Sequence, residues 1–222
     1  MKKDLEDLIN IADAVCFDVD STVITEESID VLALSLGVGD LVSQMTSSAM
    51  GGFTLFEDAL KSRLDLINPS FENIENLKKN HPLQLTCGLE TLINKLHNKG
   101  THVYLVSGGF RQMINPIALK LKIPFENIYA NNLLFDEDGN YNGFDTNEPT
   151  SKDGGKAKVI DKLIEQHNCK CVVMIGDGIT DMQAKPPAKL FIGYGGIIER
   201  SKVKLGSDWF IKDFQEIIDI LQ

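Results

Sequence analysis

Asp18 and Asp20 stand one residue apart at the end of an apolar run, Val15-Cys16-Phe17. Side chains at i and i+2 of a strand point the same way, so the pair can serve one place. A strand covered on both faces should be apolar throughout, and two acids at its carboxyl end therefore mark either a solvated turn or a ligand site, since ligands of open α/β sheets bind there. Ser107-Gly108-Gly109 closes a second apolar run, Val103 to Val106, just before a helical pattern. A small hydroxyl beside bare main-chain N–H groups suits an anion, although by itself it is also an ordinary loop. Gly176-Asp177-Gly178-Ile179-Thr180-Asp181 closes a third run. Two acids four residues apart on a glycine-rich turn suit a hard cation and its surroundings, or a helix cap. Lys156 follows Asp153-Gly154-Gly155 and opens a helical pattern, where its charge opposes the helix dipole and calls for a partner; a solvated lysine is the plainer alternative. Taken together, three carboxylates for a Mg2+ ion, with Ser107, Lys156 and main-chain N–H groups for phosphate oxygens, make up the equipment of phosphoryl transfer.

These residues need a scaffold that brings strand ends together. Leu5, Leu8 and Ile11 keep helical spacing before the first strand. Beyond Thr22 the pattern is helical for about sixty residues: Ile29 to Leu36 ending at Gly37, Asp40 to Met50 ending at Gly51-Gly52, Phe56 to Ile67, and a further helix with Ser70 as its N-cap. From Pro82 onward helix and strand alternate. Helices are expected over Glu90–Asn98, Phe110–Leu121 with a kink at Pro116, Gly155–His167, from Thr180 to Ala184, and over Asp213–Leu221. Strands are expected at Val103–Val106, Ile128–Ala130, Cys171–Ile175, Leu190–Ile192 and Trp209–Ile211, with a hairpin turning at Asp138-Gly139-Asn140. The alternation predicts an α/β fold with a Rossmann-like three-layer core, a mostly parallel sheet, and a helical cap inserted after the first strand. The expected division is core at 1–24, cap at 25–83 and core again at 84–222. A cap that leaves the sheet just after Asp18 and Asp20 would lie over them as a lid.

Composition narrows the function classes. The chain has 222 residues, 43% of them apolar, and a formal net charge of −10, which argues against non-specific nucleic-acid binding. No apolar run approaches a membrane span, and the charged N-terminus lacks the core of a signal peptide. The four cysteines (16, 87, 169 and 171) and four histidines show no zinc spacing, so a reducing, cytoplasmic setting is expected.

Asp18-Val19-Asp20-Ser21-Thr22, Ser107-Gly108-Gly109, Lys156 and Gly176-Asp177-Gly178-Ile179-Thr180-Asp181 resemble the four motifs of the haloacid dehalogenase superfamily of phosphatases. Within it, Glu27, Met50-Gly51-Gly52, Phe56, Arg63, Val106 to Phe110 and Gly154-Gly155-Lys156 resemble the phosphoserine phosphatases, over nearly the whole chain. That resemblance implies Mg-dependent hydrolysis of O-phospho-L-serine to L-serine and phosphate through an aspartyl phosphate, as the last step of serine synthesis. It implies Asp18 as nucleophile and Asp20 as acid and base. Mg2+ would be held by the Asp18 carboxylate, the Asp20 carbonyl and Asp177. Phosphate would be held by Gly51, Ser107, Gly108, Gly109 and Lys156. Substrate contacts would fall to Glu27 for the ammonium, Arg63 for the carboxylate, Met50 and Phe56 for the aliphatic part, and Thr180, with Asp181 orienting Lys156 or the metal's surroundings. The partner implied is a small molecule, with no nucleic acid or membrane, and a homodimer is compatible. Ser28 departs from the family pattern, beside the catalytic positions. A phosphatase for another small phosphomonoester has no use for both Glu27 and Arg63. A signalling receiver domain has no large helical insertion after its first strand and no use for an acid two residues past the phosphorylated aspartate.

Overall fold

The computed structural model describes residues 2–49 and 55–221; Met50 and Gly51 lie outside the described residues. In chain order the elements are α1 (Lys2–Asn10), β1 (Ala14–Phe17), α2 (Ser28–Ser35), α3 (Gly39–Ala49), α4 (Phe56–Ile67), α5 (Phe71–Asn80), α6 (Leu89–Asn98), β2 (His102–Phe110), α7 (Arg111–Lys120), β3 (Ile128–Asn131), β4 (Leu133–Phe135), β5 (Tyr141–Phe144), α8 (Gly155–His167), β6 (Val172–Gly176), α9 (Ile179–Met182), β7 (Leu190–Tyr194), α10 (Ser201–Gly206), β8 (Trp209–Ile211) and α11 (Gln215–Ile218).

Six strands form one sheet in the order β3-β2-β1-β6-β7-β8, and every pairing in it is parallel. β1 is central, and its four residues are all buried. Its side chains alternate between two layers, as strand geometry requires. Val15 and Phe17 join the cluster built on α1, α6, α7 and α11. Ala14 and Cys16 join the cluster built on α8 and α10. Phe17 is fully buried, so truncating it to alanine would cost about 3–5 kcal/mol. The covered, mostly parallel sheet is the α/β fold that the alternation of helix and strand predicts.

α2 to α5 hold no strand among the described residues. They pack on each other through Ile29, Leu32, Leu60, Leu64, Ile74 and Leu77, and the same cluster takes in Phe110, Met113 and Leu133 from outside the insertion. Two linkers connect the insertion to the sheet. Thr25 N–H donates to Gln84 O at 3.1 Å and Thr86 N–H to Val23 O at 3.0 Å, with an antiparallel bridge between Ile24 and Leu85. Main-chain pairing thus ties the outgoing linker to the returning one.

Three elements differ from the pattern-based expectation: α10 (Ser201–Gly206) is an additional helix, α11 is confined to Gln215–Ile218, and the third bears on the site. β2 does not stop before Ser107 but runs through Ser107-Gly108-Gly109 to Phe110. The reason is pairing: Phe110 aligns with Asn131 of β3 across a register shift, and the buried Asn131 side chain donates to Gly108 O at 2.8 Å. The short hairpin β4–β5 forms as expected, its turn held by Asp136 Oδ1, which accepts from the N–H groups of Asp138 and Asn140.

Candidate active site

Register alone brings three of the motifs together. Phe17 is level with Leu105 on one side and Ile175 on the other. Asp18 follows directly, its N–H donating to Ile175 O at 2.9 Å. Asp177 therefore leaves the neighbouring strand end beside it, and Ser107 lies on the opposite flank. After Asp18 the chain turns sharply. Asp18 Oδ1 accepts from Val19 N–H at 2.7 Å, Ser21 takes a left-handed φ of 53°, and Ile24 N–H returns to Val19 O at 3.0 Å. A left-handed non-glycine residue is sparsely populated and persists where its surroundings hold it; here Ser21 N–H donates to Glu26 O at 3.1 Å and its Oγ to Glu27 Oε1 at 2.7 Å.

Lys156 sits in the first turn of α8, only 6% exposed. Its Nζ lies 2.8 Å from Asp18 Oδ1 and 2.5 Å from Asp181 Oδ1, the partners that its place at a helix start calls for. Burial works against the ammonium, but the charges of Asp18 and then Asp181 outweigh it and its proton is held more tightly than usual. Asp181 is fully buried; its Oδ2 accepts from Gly178 N–H at 2.8 Å. It packs so close to Gly176 that a Cβ there would lie 2.3 Å from its carboxyl carbon, so this position demands glycine. Burial first, then the charge of Asp18, pushes the Asp181 carboxyl well above the ordinary range. Asp177 is raised for the same two reasons, with Arg200 opposing.

One oxygen each from Asp18, Asp177 and Asp181 lie within 4.8 Å of one another, all three residues being buried. The side chains that converge are thus Asp18, Asp177 and Asp181, while the Asp20 carboxylate is turned aside. Its Oδ1 accepts from Ser28 N–H and its Oδ2 from Ser28 Oγ, both at 3.0 Å. Burial, then the charges of Glu27 and Asp18, raise the Asp20 carboxyl well above its usual range.

Ser107 is fully buried and its Oγ accepts from Gly109 N–H at 2.9 Å. Gly108 underlies Phe56 of α4: a Cβ there would lie 3.0 Å from Phe56 Cζ, which brings the insertion onto the glycine loop. Glu27 stands at the start of the insertion, its carboxyl raised chiefly by burial. Arg63 of α4 is half-buried; burial lowers its pKa against the opposing charges of Asp30, Glu27 and Asp20. Thr180 is half-buried in the short α9, between Asp177 and Asp181.

Further polar groups meet these residues. Arg200 reaches Asp177 Oδ2 with Nε at 3.0 Å and Glu27 Oε1 with Nη2 at 3.4 Å. Thr22 Oγ1 donates to Asp177 Oδ1 at 3.1 Å. Asn131 holds Gly108 and accepts from Thr150 Oγ1 at 3.1 Å. The one available signal for Asn131 was its place at the carboxyl end of a strand; Arg200 had none beyond following one.

Comparison with known proteins agrees with this geometry. The model of the haloacid dehalogenase-like hydrolases matches residues 12–185. A phosphoserine phosphatase of Bos taurus is 50% identical over 219 residues, covering 99% of this chain and 97% of the bovine protein. Among solved structures, one described as a phospho-aspartyl intermediate analogue of phosphoserine phosphatase superposes with a TM-score of 0.81 at 29% identity, covering 95% of this chain and 99% of the other. The structure of DsGPDH of Dunaliella salina has a TM-score of 0.86 at 34% identity over 99% of this chain, which spans only 37% of that protein. The chain belongs to the haloacid dehalogenase-like hydrolases and, within them, to the phosphoserine phosphatase family.

Proposed function

We propose that the chain hydrolyses O-phospho-L-serine, with Asp18 as nucleophile and Asp20 as acid and base. The observation that carries this reading is the meeting of two charge sets: the Asp18, Asp177, Asp181 and Lys156 cluster of the core, and Glu27 of the insertion, which Arg200 joins to Asp177, with Arg63 of the same insertion under the charges of Asp30, Glu27 and Asp20. The first set handles a phosphate. The second matches a zwitterion, with Glu27 taking the ammonium and Arg63 the carboxylate as a bidentate pair.

The donor set suits a divalent cation. It is all oxygen, buried, and richer in acids than in the cations beside it, which is the chemistry of a hard ion such as Mg2+. Asp18, Asp177 and the Asp20 carbonyl would hold it, and it would neutralise phosphate charge as the carboxylate approaches. The protein groups do the rest. Lys156 stands between Asp18 and Asp181 and so places a cation against the transferring phosphate's oxygens. Ser107 offers its hydroxyl from the opposite flank, and the glycines leave room for close approach. In the first half-reaction an Asp18 oxygen bonds to phosphorus while Asp20 gives its proton to the departing seryl oxygen. In the second, Asp20 takes a proton from the attacking water and Asp18 is released. A raised Asp20 carboxyl is suited to both roles. Phe56 and the insertion close over the site and limit access of water. The four cysteines are free thiols, in keeping with a cytoplasmic enzyme of serine synthesis.

Phosphate release by the purified protein with Mg2+ tests the reading. L-phosphoserine should be hydrolysed far faster than phosphothreonine or sugar phosphates; a flat substrate profile overturns it.

A further inference from the structure

Ser28 is a buried polar residue that the reaction above leaves unused. It opens α2, the first helix of the insertion, and is 1% exposed. Its N–H and hydroxyl hold the two oxygens of a single carboxyl, Asp20 Oδ1 and Oδ2, each at 3.0 Å. The grip sits over a bare glycine: a Cβ on Gly109 would lie 3.1 Å from Asp20 Oδ2, 3.1 Å from Ser28 Oγ and 3.2 Å from Ser107 Oγ. Three oxygens close over that face, and one of them belongs to the hydroxyl that flanks the phosphate position.

The two contacts differ in kind. A main-chain N–H only donates, so Oδ1 must remain an acceptor whether or not Asp20 is protonated. A hydroxyl rotates, and a protonated Oδ2 keeps a lone pair, so Ser28 Oγ can go on donating to Oδ2 while the proton that Oδ2 carries faces the substrate. Oδ2 is also the oxygen on the Ser107 side. We propose that Ser28 is a positioning residue for acid–base catalysis: it reserves Oδ2 as the proton-carrying oxygen of Asp20, aims it at the leaving oxygen, and ties that aim to the seating of the insertion through α2. The proposal rests on the phosphomonoesterase reading and specifies which atom moves the proton. As the bond between phosphorus and the seryl oxygen breaks, its electron pair stays with that oxygen, which takes the proton from Oδ2 while Asp18 bonds to phosphorus. When water attacks phosphorus, its proton goes to Oδ2 and the Asp18–phosphorus bond breaks.

The proposal predicts a loss that depends on the leaving group. Ser28→Gly deletes the hydroxyl but keeps the N–H, Ser28→Ala does the same with better helix propensity, and Ser28→Thr keeps both donors. kcat/KM, which reports the first half-reaction, is measured on L-phosphoserine, on simple alkyl phosphates and on p-nitrophenyl phosphate, whose leaving group needs no proton. For Ser28→Gly and Ser28→Ala it should fall about tenfold on the alkyl esters and stay within about twofold on the aryl ester. Ser28→Thr should recover the alkyl activity, and Ser28→Gly should cost nothing further on an Asp20→Asn background. Equal losses on both ester classes, no loss on either, or a full further loss on the Asp20→Asn background would overturn the role. If wild-type protein ignored phosphoserine yet cleaved other alkyl phosphates, the substrate reading would fall, while the alkyl-to-aryl comparison would still decide the role of Ser28.

Discussion

Lys156 Nζ lies 2.5 Å from Asp181 Oδ1, both side chains being almost wholly out of water. The ammonium compensates a carboxylate with no solvent to turn to, and removing one partner of such a pair costs more than the pair itself contributes. Lys156→Met should therefore lower stability by about 3–5 kcal/mol at neutral pH. The pH dependence has a definite sign. The Asp181 carboxyl is already raised in the folded protein by burial and by Asp18, and losing the ammonium raises it further. A carboxyl raised on folding binds its proton more tightly in the native state, so stability falls as pH rises through the folded value and is recovered toward the unfolded value of about 3.9. Urea unfolding should show the gap between variant and wild type narrowing as pH falls from 7 toward about 4; a constant gap would refute the assignment to Asp181.

Asp18→Asn preserves shape and an acceptor for Val19 N–H, so the fold should persist. Turnover of phosphoserine should drop by about three orders of magnitude or more, with the thermal midpoint little changed. Near-normal phosphate release from this variant would remove Asp18 as nucleophile.

Arg63→Ala addresses the substrate's carboxylate. Its guanidinium is half-buried among acids, where a lost charged contact costs about 2–5 kcal/mol. KM for phosphoserine should rise by about thirtyfold or more, while kcat/KM on p-nitrophenyl phosphate, which carries no amino-acid carboxylate, should hold. An equal loss on both substrates would make Arg63 a structural residue of α4.

Mg2+ should stabilise the protein as well as activate it. Asp18, Asp177 and Asp181 crowd within 4.8 Å, and the burial and mutual repulsion that raise the Asp177 and Asp181 carboxyls oppose folding. An ion that binds only the folded state adds about 2.7 kcal/mol at a hundredfold excess over its Kd. Thermal scans with Mg2+ and with a chelator should therefore differ, and Asp177→Asn should abolish most of the difference. A midpoint indifferent to Mg2+, or a full shift retained in Asp177→Asn, would exclude Asp177 as a ligand.

The convergence of Asp18, Asp177 and Lys156 in the candidate site was legible in the chain because its signals are local. Asp18-Val19-Asp20 behind Val15-Cys16-Phe17, the glycines around Asp177, and Lys156 at a helix start each break a pattern within a few residues. The alternation of apolar runs and helical spacing likewise carried the parallel α/β sheet. What the chain could not show are contacts between distant segments. Thr22 meets Asp177 across 155 residues and Arg200 meets Glu27 across 173, and no periodicity records such pairings. The extension of β2 through Ser107-Gly108-Gly109 came from Asn131 on a neighbouring strand, which supplied the hydrogen bond that the glycines' own weak strand preference does not. Ser28 illustrates the limit most closely. In the chain it is a helix-starting serine beside the motif; only folding α2 back against the turn after β1 places its N–H and hydroxyl on Asp20. Residue type and local spacing determined which groups could do chemistry, and tertiary packing decided which oxygen of which carboxyl each of them faces.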